Sequence, residues 1–240
     1  MEKKEIMEKK EILYFFEPGK GNTEKILAYG KKAFAELGLT YAIVATNTGY
    51  TARHLIEAFD GLKANVIAIT NAKNAKMPVS SLYTKYKSSR TLREKYVKEG
   101  ITHFPVSLSE DTLVELEDKG ATVFFLPDDF GIGGKSGPDV VEKPKRSKLD
   151  NFLPKHLRPL DIEAGADLSL LNILSMGFRV CVGITAVAVK YGLVPSGETV
   201  LSIAGTGWAG GGADTAVIIK ANPNPRKCYI REIIGLPKSK

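Results

Sequence analysis

"YAIVATNTGYTARHLIEAF" (residues 41–59) is the stretch on which the fold turns. Its opening, "YAIVAT", is apolar and β-branched, the pattern of a strand covered on both faces. Its close, "TARHLIEAF", spaces apolar residues as a helix does. Between them Thr46, Asn47, Thr48, Gly49, Tyr50 and Thr51 form a short polar bend. Strand, bend and helix together are the building unit of a parallel sheet. Hydroxyls, an amide and backbone N–H groups at a helix N-terminus also make an anion site, helped by the helix dipole. Ordinary capping needs one such residue. Four small polar residues around a glycine point to phosphate.

Working outward, the same alternation continues. "ILYFF" (12–16) is a buried-type strand, and Asn22 or Thr23 is placed to cap the helix that Gly38 closes. "NVIAIT" (65–70) is a strand, a short helix is expected near 89–98, and "THFPVS" a short strand. "SEDTLVELEDKG" is a helix capped by Ser109, with acids in its first turn. "ATVFFLP" (121–127) is a strand, and 161–193 carries helical periodicity with a break expected at Gly177. "ETVLSIAGT", "ADTAVIIKA" and "CYIREIIGL" follow as strands too close together for helical crossovers, so an antiparallel edge is expected there. The fold class is α/β in three layers, with a mostly parallel sheet between helices. Residues 1–11, in which "MEKKEI" occurs twice, are expected to be a mobile charged tail without function. Residues 12–240 are expected to form one domain carrying an irregular basic Gly/Pro-rich segment at about 128–160.

Composition narrows the function classes. A net charge of +7 favours anionic partners, concentrated in 63–98 and 142–158, but no nucleic-acid-binding module accompanies it. A nucleic-acid partner is therefore not expected, and the basic segments read as solvated surface. The tract 168–194 is interrupted by Arg179 and Lys190 and reads as buried helix, so no membrane partner is expected. Cys181 and Cys228 are too few and too far apart for a disulfide framework or a zinc site, which suits a reduced cytoplasmic protein. Apolar surface on the last strand and on 161–193 is where a homo-oligomer would form.

Two glycine motifs invite a nucleotide reading. Gly205 to Gly210 of "GTGWAGGG" spell G-x-G-x-x-G, which in dinucleotide folds must be followed by a helix. The residues that follow, "ADTAVIIK", alternate as a strand does, so that function is excluded. "GIGGKSG" (131–137) ends like a P-loop, but the first glycine of that motif falls on Asp129. It reads as a flexible loop.

The bend and the C-terminal third resemble the C-terminal α/β domain of pyruvate kinases. The resemblance lies in "YAIVATNTGYTARHLIEAF…ANVIAIT" and in "MGFRVCVGITAVAVKYGLVPSGETVLSIAGTGWAGGGADTAVIIKA". With "FGIGG" and "IREII", the whole chain is similar to stand-alone proteins carrying only that domain. The resemblance implies a sheet of about five main strands in the order 3-2-1-4-5, the last antiparallel. It implies no catalytic barrel, hence no pyruvate kinase activity, and a site for phosphorylated effectors. There the bend holds a phosphate, and Gly205, Thr206, Gly207 and Trp208 close over the rest of the ligand. Tyr50 and Ala209 stand where the family often has arginines, which favours a monophosphate over a bisphosphate. Trp208 and Tyr50 offer aromatic faces that would suit flavin mononucleotide (FMN), while packing over the sheet edge is the other reading of Trp208.

Catalytic candidates are sparse. Asp128 and Asp129, with Gly131 beside them, follow a strand's C-terminal end, where they would hold ribityl hydroxyls or magnesium, or simply start a turn. His54, His103 and His156 have no partner legible in the sequence, and no metal site is expected. Two functions stand: a binding or sensing module for a phosphorylated ligand, and a small enzyme using Asp128, Asp129 and the 131–137 loop.

Overall fold

The computed structural model describes residues 10–82, 87–127, 168–205 and 212–238. Among these residues nine strands run in chain order as β1 (Leu13–Phe15), β2 (Tyr41–Ala45), β3 (Asn65–Thr70), β4 (Lys76–Pro78), β5 (His103–Pro105), β6 (Thr122–Phe125), β7 (Thr199–Ala204), β8 (Thr215–Lys220) and β9 (Tyr229–Pro237). The helices are α1 (Thr23–Glu36), α2 (Tyr50–Ala58), α3 (Lys87–Lys98), α4 (Glu110–Asp118) and α5 (Met176–Lys190). Seven strands form one sheet in the order β1-β9-β8-β7-β2-β3-β6, parallel except for β8, which opposes both neighbours. The fold is α/β with a mostly parallel central sheet.

Side-chain alternation along each strand supplies two cores. Val44, Ala68, Leu201 and Ile218 face Ile26, Leu27 and Phe34 of α1, Leu55 of α2 and Leu116 of α4. Their sequence neighbours Ile43, Ile67, Ile69, Val200, Val217 and Ile219 face Phe178, Cys181, Val182 and Ile184 of α5. Strands covered on both sides must be apolar throughout, which is why "NVIAIT" and "TAVIIK" show no alternation of polarity. Full burial of each Ile or Leu here is worth about 1.5–3 kcal/mol.

Several expectations are corrected. The antiparallel run β7-β8-β9 is not at the edge, because β1 pairs in parallel outside β9. Asn22 stands at the N-cap of α1 but makes no side-chain capping bond: its amide donates to the Glu17 carbonyl, and the Thr23 hydroxyl donates to Lys20 O. The helical break falls ahead of Gly177: a 3-10 segment (Leu168–Ile173) ends, and Ser175 caps α5 by accepting from Phe178 N at 2.9 Å. Gly177 lies in the first turn of α5, where a Cβ would run into the Thr215 and Asp214 side chains. The strand "THFPVS" is β5, but it pairs antiparallel with β4 in a separate ribbon. That ribbon packs with α3 around Met77, Val79, Phe104 and Val106, an element the three-residue, proline-ended β4 hid. Within the expected tail, Lys10 reaches Glu232 at 2.7 Å.

Candidate functional site

In an open parallel sheet, ligands bind beyond the strand C-termini where successive connections leave to opposite faces. Here the corresponding place is at the adjoining C-terminal ends of β2, which continues into α2, and β7, which turns to β8. The bend of residues 46–51 stands at it.

The bend is partly closed by its own bonds. Thr46 N donates to Ile69 O at 2.9 Å, and the buried Thr46 hydroxyl accepts from Gly49 N at 3.0 Å. Gly49 has φ 79°, the left-handed conformation that launches α2. Tyr50 N points to Thr48 Oγ1 at 3.4 Å. The Thr51 hydroxyl faces inward and accepts from Gly212 N at 3.1 Å. Asn47 Oδ1 accepts from Asn71 Nδ2 at 2.9 Å, and that amide also donates to Val106 O at 2.9 Å. The Thr46 and Thr51 hydroxyls and the Gly49 amide are therefore engaged within the fold. What stays open is the exposed Thr48 side chain and, among the described residues, the amides of Asn47, Thr48 and Thr51.

Two other loops lock onto the bend. Gly19 N donates to Asp214 Oδ2 at 2.9 Å, and the Thr23 hydroxyl donates to Lys20 O at 2.8 Å while accepting from Ala213 N at 2.9 Å. Gly212 has φ 102°, and a Cβ on it would land on the Lys20 backbone. A Cβ on Gly205 would strike the Gly212 carbonyl. Both glycines are thus required by close backbone approach at the base of the β7–β8 connection. Among the described residues, β8 and no helix follows the G-x-G-x-x-G spacing.

This junction brings a cation to the bend. Lys20 Nζ lies 3.8 Å from the centre of the Tyr50 ring. Tyr50 in turn rests on the His54 ring at 4.1 Å, and His54 Nδ1 donates to Tyr50 O at 2.9 Å. A cation over an aromatic face is held without being neutralised, so it still attracts an anion. Behind the bend, Arg53 is committed to α4: its Nε reaches both Glu115 oxygens at 2.8 Å and its terminal nitrogen reaches Thr112 Oγ1 at 3.2 Å. The Arg53 guanidinium holds the Glu115 carboxyl at about 2, well below the usual carboxylate range. The bonded carboxylate also raises Arg53.

Of the sequence-predicted residues, Thr46 to Thr51 and Gly205 meet at this junction. Asp128, Asp129, Gly131, Thr206, Gly207, Trp208 and His156 lie outside the described residues. Burial pushes both the Cys181 and Cys228 thiols up, so neither is an activated nucleophile. Among the described residues no group of three or more His, Cys, Asp or Glu could hold a metal ion. Sequence reasoning names Thr23 as a cap alone and does not find Gly19, Lys20, Gly212 or Asp214. The one signal was "PGKGN" (18–22), a glycine-flanked lysine between a strand and a helix. No protein-family model matches the chain.

Proposed function

We propose that this chain is a binding or sensing module for a monophosphorylated small molecule, held at the end of β2 by the Thr48 side chain, by the amides of Asn47, Thr48 and Thr51, and by Lys20. The observation that carries this is the Lys20 ammonium 3.8 Å over Tyr50, at the N-terminus of α2 and beside the exposed Thr48. A cation beside open amides suits a phosphate. FMN is kept as the ligand type to test, although Lys20 and His54 already lie against the Tyr50 ring. The likeness to the pyruvate kinase C-terminal domain has its own support. Counted from β2, the adjacent strands β6-β3-β2-β7-β8 read 3-2-1-4-5, with the fifth antiparallel. The enzymatic alternative with Asp128 and Asp129 gains no observation from the described residues.

Titration calorimetry with inorganic phosphate and with FMN tests the proposal on the full chain. Both should bind, and Lys20→Met should weaken each about tenfold, the loss of one charge-assisted hydrogen bond. Absence of binding by both probes, or affinities indifferent to Lys20→Met, would overturn it.

A further inference from the structure

The seven-stranded sheet ends at β6 on one side and at β1 on the other, and the two edges differ. On β6 the aromatic side chains are occupied: Phe124 meets the Tyr191 ring at 4.8 Å, and Lys73 lies 5.2 Å over Phe125. Along β1 and its flanks, alternation sends Leu13 and Phe15 into the core shared with α1 and turns Ile12, Tyr14 and Phe16 to the other face. Those three are 39%, 53% and 85% exposed. Among the described residues, the core under α5 takes in Ile230 and Ile233 of β9 but none of the three.

The main chain of β1 is open as well. Phe15 O accepts from Lys238 N at 2.8 Å, so Phe15 turns its N–H and C=O toward β9. Successive residues of a strand turn these groups to opposite sides. Tyr14 therefore presents both to the outer edge, where among the described residues no strand pairs with it.

What fits this edge is set by its sequence. "EILYFFE" (11–17) has the same kinds of residue in the same order from either end: a glutamate, two apolar residues, Tyr14, two apolar residues, a glutamate. A two-fold interface sets residue i against j and j against i, so it demands such self-complementarity. Placed antiparallel about Tyr14, two copies exchange the Tyr14 N–H and C=O as one hydrogen-bonded pair, and Ile12 of each meets Phe16 of the other. The next registers that keep the faces are poorer: one opposes Phe16 to Lys10, the other Ile12 to Pro18, which has no N–H to give. Aromatic side chains carry about 150–250 Å² each, so the exposed fractions leave on the order of 300 Å² of apolar surface per copy, comparable to the largest patch on an ordinary monomer. Doubled in a symmetric pair, that area falls short of a permanent complex and suits a reversible one.

We infer that the outer edge of β1 is a homodimer interface, in which the Tyr14 strands of two copies pair antiparallel and join their sheets. Glu11 and Glu17 of opposite copies then face each other at both ends of the ladder and oppose closure, so the association is weak and is favoured by salt. The interface is independent of the proposed phosphate site.

Sedimentation equilibrium of the full chain, from about 1 μM to about 1 mM, measures the association. The wild type should dimerise reversibly with a dissociation constant in the micromolar range, tighter in high salt than in low. Tyr14→Glu leaves Lys238, now 5.5 Å from the Tyr14 ring centre, a partner within its own chain but opposes two carboxylates on the axis. It should weaken association about tenfold or more, with the circular dichroism of the wild type. Glu17→Lys, at an exposed position, is a gain-of-affinity variant that misfolding cannot mimic. It sets a lysine against Glu11 of the other copy at both ends and should tighten the dimer roughly fivefold at low salt, a gain that high salt removes. A wild type that stays monomeric throughout, or a dimer indifferent to either variant, overturns the interface. So does a monomer that sediments with phosphatidylserine vesicles, which would assign Tyr14, Phe16 and Lys238 to a lipid surface.

Discussion

Gly49 and Thr112 touch so closely that a single methyl group added to Gly49 would overlap Thr112 Cγ2. The contact seats the start of α2 against the start of α4 and fixes the position of the bend. Gly49 also adopts φ 79°, which side chains rarely tolerate. Gly49→Ala should therefore destabilise the protein by roughly 2–4 kcal/mol, from left-handed strain and overpacking together. Urea denaturation of a double variant separates the two terms. Thr112→Ser removes the overlapping methyl and keeps the hydroxyl, so it should recover the packing part of the loss and leave the strain.

The Arg53–Glu115 pair, with its closest approach at 2.7 Å, ties the same two helices together and gives the protein a distinct acid response. Glu115 is lowered from 4.5 to about 2, first by its hydrogen bond from Arg53. A depressed carboxylate contributes stability that is present above its unfolded value and is lost as pH falls through the folded one. The contribution should therefore be full above about pH 4.5 and fade towards pH 2. Melting temperatures of the wild type and Glu115→Gln, compared across this range, should differ most near neutrality and converge in acid. The difference should shrink in high salt, since both side chains are about one-third exposed. A constant gap at every pH would assign the effect to packing.

Thr23 is buried, and its hydroxyl joins Lys20 O to Ala213 N, so one oxygen holds two of the three converging loops. Thr23→Val keeps the shape and strands a buried amide at Ala213. The expected loss is about 1–3 kcal/mol. Affinity for inorganic phosphate should fall as well, because Lys20 is carried by the loop that Thr23 anchors. Thr23→Ser, which restores the hydroxyl, should recover both.

How much of this was legible depended on how local its cause was. Strands such as "NVIAIT" and the cap at Ser109 are written in hydrophobic pattern and in one polar residue at a fixed spacing, and they were readable. The bend was readable as a location, because strand, glycine and helix follow one another in sequence. The roles within it were not. The Thr51 hydroxyl is consumed by Gly212, 161 residues away, and no periodicity reports such a pairing. Lys20 was missed for the same reason: only the fold brings β1's loop, across β9, β8 and β7, to the end of β2. The break assigned to Gly177 rested on glycine's poor helix propensity. The break lies ahead of it, at Ser175, and what the glycine answers is tertiary, the close passage of Thr215 and Asp214.

The Lys20–Tyr50–His54 stack yields the last prediction, and it turns on what the aromatic ring does for the cation. A lysine on a free stem loses several rotors when it meets phosphate, whereas one already held over a ring has lost them beforehand. An exposed cation–π contact is worth about 0.5–1 kcal/mol, which corresponds to roughly two- to fivefold in affinity. Tyr50→Phe keeps the ring face and should leave inorganic phosphate binding within about twofold. Tyr50→Leu removes the face and should weaken binding by roughly two- to fivefold. Either change leaves the Tyr50 carbonyl in place for His54, so the helix start is preserved. The opposite outcome is informative. If Tyr50→Leu binds phosphate more tightly, the ring competes with the anion for Lys20, and the stack is a resting position from which the lysine must be drawn. Calorimetric titration of the two variants side by side, at one fixed ionic strength, decides between a cation presented to the ligand and one withheld from it.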